Sequence, residues 1–269
     1  LLKRAETNVA PVPDKAVQFV FRKTTSTWGE PLIMAMDVGH GYGLGDKAIT
    51  NVFSEGDFGI VKRDGFLFDC VDLCVEEGSI VCILGEVAAG KSTLLRLLAG
   101  REDPHEGKVH IAQGAKIAYF DQHEVDKLIE ENINENTTPV ELLSKKFSKK
   151  TEQDIRGELS AFGLNPKQAG TRVEFLSGGE KSRLCLANLM LSNPDVLLMD
   201  EPSSHLDVES LEAFVYGLKE WNGTVVMVSH DTNMIRCLEG YCYVLMKEEG
   251  KLRNIPNGID SYLKSFKII

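Results

Sequence analysis

The sequence predicts an α/β fold whose core is a parallel sheet. Strand-like apolar runs alternate with helix-like segments through the last part of the chain. The strands are predicted over 195–199, 224–229 and 241–246, and the helices over 207–221 and 231–238. A further apolar run at 80–84 leads through a glycine-containing loop into the helical run 92–99. Strands that are apolar at consecutive positions are typical of sheets covered on both faces, and their alternation with helices favours parallel pairing.

Composition places the chain among ordinary globular proteins. Its 269 residues suffice for one large domain or two small ones, and 43% hydrophobic with 26% charged residues is a normal balance. The net charge of −10 argues against a mainly electrostatic grip on nucleic acid by the chain as a whole. The six cysteines show no C-x-x-C spacing, which favours reduced thiols and a cytoplasmic location. No apolar stretch reaches membrane-spanning length, so we expect no transmembrane segment.

The part of the chain before residue 80 is interpreted as a linker, two strands and a long loop between them. Residues 1–30 contain two prolines and a cluster of Thr and Ser, which is typical of a linker tail or extended arm. Strands are predicted over 32–38 and 66–74. The intervening residues 41–65 are rich in Gly and Asp and indicate a loop or insertion, with room for a short strand near 49–52.

The middle of the chain is predicted to be mostly helical. Two short strands, 107–112 and 116–120, come first. Residues 124–170 then have helical character, with breaks at 137–139 and 163–166. Inside this stretch Ile155, Leu159 and Phe162 fall on one helix face. A further helix is predicted over 180–191.

Residues 85–92 read Gly-Glu-Val-Ala-Ala-Gly-Lys-Ser and match the phosphate-binding pattern G-x-x-x-x-G-K-[ST]. Gly85 and Gly90 allow a backbone path that turns several N–H groups toward one point, where phosphate oxygens can bind. Lys91 would reach the β- and γ-phosphates, and the Ser92 hydroxyl would hold Mg²⁺. The pattern therefore predicts that a nucleoside triphosphate binds here. The candidate nucleotide-binding residues in this segment are Gly85, Glu86, Val87, Ala88, Ala89, Gly90, Lys91, Ser92 and Thr93.

An acidic pair, Asp200-Glu201, follows the buried-looking strand 196–199. The carboxyl end of a central strand is where α/β sheets place their ligands. We predict that Asp200 binds Mg²⁺ through water or in its outer coordination sphere, and that Glu201 orients or deprotonates an attacking water. His230 follows the strand 224–229 and could donate a hydrogen bond to a γ-phosphate, although a lone histidine there also fits a purely structural role.

Residues 176–180, Leu-Ser-Gly-Gly-Glu, resemble the signature motif of the ATP-binding-cassette (ABC) ATPases. The order of motifs is also similar: phosphate loop, a glutamine-loop residue at Gln122, the signature, the acidic pair, a D-loop ending at Asp207, and a switch residue, His230. The sequences of residues 177–183, 200–207 and 223–231 most resemble those of the ABC-F subfamily, whose members act on ribosomes. The glutamine-loop segment 119–123 is similar to that of a C-terminal cassette in a two-cassette protein.

The resemblance implies an ABC-type P-loop nucleotide-binding domain over 31–269, with a parallel core sheet, an antiparallel β subdomain and a helical signature subdomain. The helical subdomain would span about 124–190, with 43–65 as an insertion and 1–30 as the tail of an inter-cassette linker.

The family mechanism is Mg²⁺-dependent ATP hydrolysis by two cassettes that close head to tail around two ATP molecules. In that scheme Glu201, His230 and Gln122 are catalytic, and Ser92, Gln122 and Asp200 surround the metal. The signature residues contact the ATP of a partner cassette; here they are Ser177, Gly178, Gly179 and Glu180. The ribosome is the further partner that the resemblance implies.

An aromatic residue upstream of the phosphate loop stacks on adenine in this family. Tyr42 is our choice because it follows the first predicted strand, with Phe66 and Phe68 as alternatives.

The sequence departs from the family at two places and leaves two other functions open. Val87 and Ala88 stand where Asn and Gly are common, and Ala88 would be strained if that position needs a positive φ. Ser203-Ser204 replace the usual Thr-Asn before the D-loop. The alternatives are the nucleotide-binding subunit of a membrane transporter and an ATP-dependent clamp with negligible turnover.

Overall fold

A six-stranded sheet and a smaller three-stranded sheet organise the molecule in the computed structural model. The structure describes residues 19–21, 28–42, 65–130, 136–204 and 206–265. The strands are β1 (Ile33–His40), β2 (Phe68–Val75), β3 (Ile80–Leu84), β4 (Glu106–Ile111), β5 (Ile117–Phe120), β6 (Val196–Asp200), β7 (Thr224–Val228), β8 (Tyr241–Met246) and β9 (Lys251–Ile255). The helices are α1 (Lys91–Leu98), α2 (Gln122–Glu130), α3 (Pro139–Lys146), α4 (Glu152–Ala161), α5 (Pro166–Ala169), α6 (Gly178–Met190), α7 (Val208–Glu220), α8 (Thr232–Leu238) and α9 (Gly258–Ser265).

The large sheet has the order β5-β6-β7-β3-β8-β9, and its strands from β5 to β8 pair in parallel. Strands β6 and β7 are buried almost throughout, as their uninterrupted apolar runs predict. The register aligns Val228 with Ile83 on one side and with Asp200 on the other. This alignment brings the carboxyl ends of β3, β6 and β7 to the same edge of the sheet.

The small sheet is antiparallel, with the order β2-β1-β4. At the end of β1 the Leu67 N–H donates to the His40 carbonyl at 2.8 Å. A Cβ atom on Gly41 would lie 2.1 Å from the Gly65 carbonyl oxygen, so the close approach of these two segments requires glycine. The chain therefore leaves β1 and returns to β2 at the same point. Residues 43–64, which hold most of the predicted insertion and its short strand at 49–52, lie outside the described residues.

Helices α2 to α6 and a 3₁₀ helix, Val173–Phe175, occupy the region predicted to be helical. Capping boxes begin α3 at Thr138 and α4 at Thr151. The face predicted from Ile155, Leu159 and Phe162 is fully buried in the larger of two hydrophobic clusters. None of the helices in the described ranges is long and apolar enough to cross a membrane.

Strand β9 and helix α9 were not predicted from the sequence. β9 pairs antiparallel with β8 at the edge of the sheet, and its five residues include Lys251, Arg253 and Asn254. An edge strand has one neighbour and open faces, so it carries no continuous apolar run to identify it.

Residues 19–21 correct the predicted linker boundary at residue 30. Phe19 and Phe21 are 3% and 7% exposed and pack against Phe162, Phe214 and Trp221. The Val20 N–H also donates to the carbonyl of Ala161 at 3.0 Å. Phe19 and Phe21 therefore belong to the folded core, and residues 19–21 join α4 to α7; residues 1–18 and 22–27 lie outside the described part.

Gly217 in α7 makes room for this aromatic segment, and substituting it should be costly. A Cβ atom at Gly217 would lie 2.3 Å from the Phe19 carbonyl oxygen. We expect Gly217→Ala to lower the free energy of unfolding by about 1–3 kcal/mol, because the segment must move. Urea unfolding followed by circular dichroism measures the change.

Gly157→Ala is the matched control, because Gly157 is also helical but has no atom within 4 Å of its ideal Cβ position. That variant should be neutral or stabilising by about 0.5–1 kcal/mol, as expected for an exposed helical glycine. Equal effects of the two substitutions would contradict the packing described for Gly217.

Candidate functional site

The phosphate loop, residues 85–92, connects β3 to α1 at the shared edge of the sheet. Gly85 has φ 142° and Gly90 has φ 98°, values that favour glycine. A Cβ atom on Gly85 would lie 2.5 Å from the Leu245 carbonyl oxygen, and one on Gly90 would lie 2.9 Å from the Phe68 ring. Both glycines of the motif are therefore required by backbone conformation and by space.

Ala88 adopts φ 62°, the positive value considered in the sequence analysis. An alanine in this conformation costs about 1 kcal/mol relative to glycine. Its neighbour Val87 is 78% exposed at the tip of the loop. The alanine at position 88, where the family commonly has glycine, therefore strains the phosphate loop.

Lys91 lies over the loop with its ammonium group held by two backbone carbonyls. Its Nζ donates to the carbonyl oxygens of Gly85 at 2.9 Å and Glu86 at 2.8 Å. Burial lowers the pKa of Lys91, while the nearby carboxylates of Glu201 and Asp200 act in the opposite direction. Since these carboxylates are close in space, the site concentrates one cation and two anions at the end of the sheet.

The N-terminus of α1 points into the same loop. Its N-cap residue is Gly90, and no side chain caps the helix. The amides of a first helical turn lack intrahelical acceptors and carry the positive end of the helix dipole. With the Lys91 ammonium beside them, these groups fit a phosphate ligand.

The side chains of Ser92 and Asp200 lie next to each other and are joined by a hydrogen bond. Burial raises the pKa of Asp200, and a hydrogen bond with the Ser92 side chain partly opposes this. A hydroxyl and a half-buried carboxylate offer the hard oxygen donors that Mg²⁺ prefers. These residues therefore fit the predicted metal.

Glu201 and His230 lie together beside this pair. The His230 Nε2 is 3.5 Å from Glu201 Oε1, and the His230 N–H donates to Oε2 at 3.3 Å. Glu201 has φ 48°, and its own N–H donates to the carbonyl of Val228 at 2.9 Å. Burial raises the pKa of Glu201, against the effect of the His230 N–H. A carboxylate with a raised pKa is a stronger base when it is ionised.

Gln122 is the first residue of α2, two residues after β5 ends, and only its backbone belongs to the described part. β5 pairs with β6 so that Phe120 is aligned with Met199, the residue before Asp200. The backbone thus places Gln122 near the acidic pair.

Among the candidate base-stacking residues, only Tyr42 presents its ring to solvent. It is 57% exposed, whereas Phe66 is 5% and Phe68 0% exposed. The Tyr42 hydroxyl is 3.4 Å from Thr93 Oγ1, in the first turn of α1. Phe66 and Phe68 are buried in the protein interior, so they are wrong as alternatives.

The signature residues form the N-terminus of α6. Ser177 is the N-cap: its Oγ accepts from the Glu180 N–H, and the Glu180 carboxylate accepts from the Ser177 N–H at 2.7 Å. Gln168 donates to the other oxygen of Glu180. The Glu180 carboxylate is therefore engaged in capping its own helix, while Ser177 and Gly178 are exposed.

Asp207 is the N-cap of α7 and accepts from the Ser210 N–H at 2.8 Å. Arg183 of α6 approaches Asp207 at 3.5 Å and donates to Ser210 Oγ at 3.0 Å. Arg183 thus links the signature helix to the D-loop helix, a connection the sequence analysis did not predict. His205, within the D-loop, lies outside the described residues.

The cap of α6 can be tested separately from any nucleotide chemistry. Ser177→Ala removes the oxygen that accepts the Glu180 N–H, so we expect the free energy of unfolding to fall by about 1 kcal/mol. Ser177→Asp keeps an acceptor at the N-cap and should retain stability. Urea unfolding compares the two, and equal losses would argue against the cap.

Comparisons with known proteins agree with the fold and with the motif order. The family model of the ABC transporters matches residues 68–204. ATP-binding cassette sub-family F member 3 of Rattus norvegicus is 37% identical over 196 residues, 73% of this chain and 27% of that protein. Protein GCN20 of Saccharomyces cerevisiae is 33% identical over 254 residues, 94% of this chain and 30% of that protein. The probable ATP-binding protein YheS of Escherichia coli is 32% identical over 262 residues, 97% of this chain and 37% of that protein.

The chain therefore spans between 27% and 37% of the length of these three relatives. Among solved structures, a dimeric bacterial ABC transporter cassette has a TM-score of 0.62 at 24% identity, covering 82% of this chain and 96% of that one. A dimeric post-hydrolysis state of an ATP-binding cassette with ADP and Pi has the same TM-score at 22% identity, covering 83% of this chain and 97% of that one. These likenesses confirm the predicted fold. The chain belongs to the ATP-binding cassette family, and its relatives place it with the ABC-F proteins.

Proposed function

We propose that this chain binds and hydrolyses ATP with Mg²⁺ as one cassette of a two-cassette clamp that acts on ribosomes. ATP hydrolysis is supported by one observation: three groups of residues lie together at the carboxyl ends of neighbouring strands. Lys91, the Ser92–Asp200 pair and the Glu201–His230 pair all lie where β3, β6 and β7 end. This arrangement combines a phosphate cradle, oxygen ligands for a metal and a base.

ATP binding rests on the loop and on α1. The uncapped amides of the first turn and the Lys91 ammonium attract the β- and γ-phosphates. Ser92 and Asp200, with Gln122, would hold Mg²⁺, which supplies charge neutralisation at the phosphate oxygens. Tyr42 offers its exposed ring to the adenine.

In the proposed hydrolysis, Glu201 is the general base. A water oxygen attacks the γ-phosphorus, the bond to the β–γ bridging oxygen breaks, and ADP leaves while the proton passes to the Glu201 carboxylate. His230 lies within 3.5 Å of that carboxylate and is positioned to donate to the γ-phosphate. The solved relative with ADP and Pi supports this reaction for the family.

The signature residues support the two-cassette part of the proposal. Ser177 and Gly178 are exposed at the beginning of α6, so their hydroxyl and amide can contact a phosphate held by another cassette. The dimeric state of the bacterial cassette supports such pairing. ATP between two cassettes favours the closed state, and hydrolysis removes that preference. The ribosome is proposed as the target because the chain is similar to ABC-F proteins, the subfamily whose members act on ribosomes.

Turnover by the full-length protein tests the hydrolytic part. Glu201→Gln removes the base but keeps the shape of the site, so we expect ATP binding to remain and steady-state hydrolysis to fall about 100-fold or more. Lys91→Ala should abolish binding itself. A phosphate-release assay with ATP titration separates the two effects.

Glu220→Gln and Lys108→Ala are the matched controls, because both residues are exposed and neither belongs to the phosphate loop or to the carboxyl ends of β3, β6 and β7. Tight ATP binding by Lys91→Ala would contradict the assignment of residues 85–92 as the phosphate-binding loop. Equal, near-zero rates for wild type and Glu201→Gln would favour a clamp with negligible turnover, for which the strained Ala88 is the supporting observation.

Co-sedimentation with ribosomes tests the choice of target. Full-length protein carrying Glu201→Gln should sediment with ribosomes in the presence of ATP and remain in the supernatant without it. The reason is that a closed clamp that cannot hydrolyse ATP is not released. ATP binding without ribosome capture would contradict the ribosomal role and favour the transporter-subunit alternative.

A further inference from the structure

The hydroxyl of Tyr42 is held by side chains from α1 and the turn that follows it. Arg96 Nη2 donates to the Tyr42 oxygen at 2.8 Å, and the Tyr42 hydroxyl donates to Glu102 Oε2 at 3.0 Å. Thr93 Oγ1 lies 3.4 Å from the same oxygen. The hydroxyl is thus anchored while the ring stays 57% exposed.

Arg96 and Glu102 also bind each other, which fixes the anchor itself. The Arg96 Nε donates to Glu102 Oε1, and its Nη2 donates to Thr93 Oγ1 at 3.2 Å. Each side chain of the ion pair is 30% exposed. A planar guanidinium that meets a carboxylate, a phenol and a hydroxyl at once has little freedom to move. Because Thr93 follows Ser92, this network joins Tyr42 to the helix that begins at the phosphate loop.

Two histidines, His40 and His105, contact Tyr42 or the residue before it. The His40 and Tyr42 rings pack edge to face with their centroids 5.2 Å apart. The centroid of the His105 ring lies 4.3 Å from that of the His40 ring. The Gly41 N–H donates to His105 Nδ1 at 3.5 Å. Both the backbone before Tyr42 and the Tyr42 ring are therefore in contact with the fold.

We infer that Arg96 and Glu102 are positioning residues that hold the Tyr42 ring in place to stack on the base of the nucleotide. This inference rests on the proposed ATP binding. Without the anchor, the Tyr42 ring would keep only its contact with His40, and stacking on a base would cost further ordering of the side chain. The ion pair acts through Tyr42 and has no part in the chemistry at the phosphates.

The experiment compares ATP with inorganic tripolyphosphate, which carries the phosphates without a base. In the full-length protein, Arg96→Met should raise the Kd for ATP about fivefold and leave the Kd for tripolyphosphate unchanged. Since the base contributes equally to the ground and transition states, KM for ATP should rise while kcat stays constant. Isothermal titration and a steady-state assay give both readouts.

Two further variants keep the test decisive. Tyr42→Phe removes the hydroxyl that both Arg96 and Glu102 bind, so it should raise the Kd for ATP at least as much as Arg96→Met does. In a Tyr42→Ala background, Arg96→Met should have no further effect on ATP binding, because the residue it positions is gone. Arg236→Met is the matched control, since Arg236 forms a comparable exposed pair with Asp260 at 2.7 Å.

Equal loss of ATP and tripolyphosphate binding in Arg96→Met would overturn the inference, because the pair would then act on α1 and the phosphate loop. An additional loss in the Tyr42→Ala background would overturn it as well. Unchanged ATP affinity in Tyr42→Ala would overturn this inference alone. If the wild-type protein bound neither ATP nor tripolyphosphate, both the proposed function and the inference about Arg96 and Glu102 would be refuted.

Discussion

The parallel pairing of β6, β7 and β3 is the constraint on which the candidate site depends. These strands are covered on both faces, so a shift in their register would expose apolar side chains or bury polar ones. The fixed register aligns Val228 with both Ile83 and Asp200. As a result the phosphate loop, the acidic pair and His230 meet at one edge, although more than a hundred residues separate the first of these from the other two.

Burial at this edge tunes the charged groups in opposite directions. It lowers the pKa of Lys91 and raises the pKa of Asp200 and of Glu201. Lys91 and the two carboxylates moderate one another's cost through their opposite charges, whereas the charge of Asp200 raises the pKa of Glu201 further. A triphosphate and a divalent cation add further charges of both signs to this cluster, so their binding would be coupled to the protonation of the carboxylates.

Helix caps connect the site to the rest of the fold. Ser177 begins α6 and Asp207 begins α7, and both side chains satisfy backbone amides of their own helices. Arg183, in the second turn of α6, binds the beginning of α7, and residues 19–21 join α4 to α7. The residues proposed to face a second cassette are thus fixed by the same hydrogen bonds that stabilise their helices.

The sequence by itself determined the motifs, their order and most of the helices and strands. A phosphate loop and a buried strand are local patterns, in which neighbouring residues carry the whole signal. The tertiary structure decided what depends on distant contacts. It showed that Phe19 and Phe21 belong to the core, that Phe66 and Phe68 are buried, and that β9 completes the sheet. It also revealed how Arg96 and Glu102 hold Tyr42, because these residues lie more than fifty positions from it in sequence and meet it only in the folded chain.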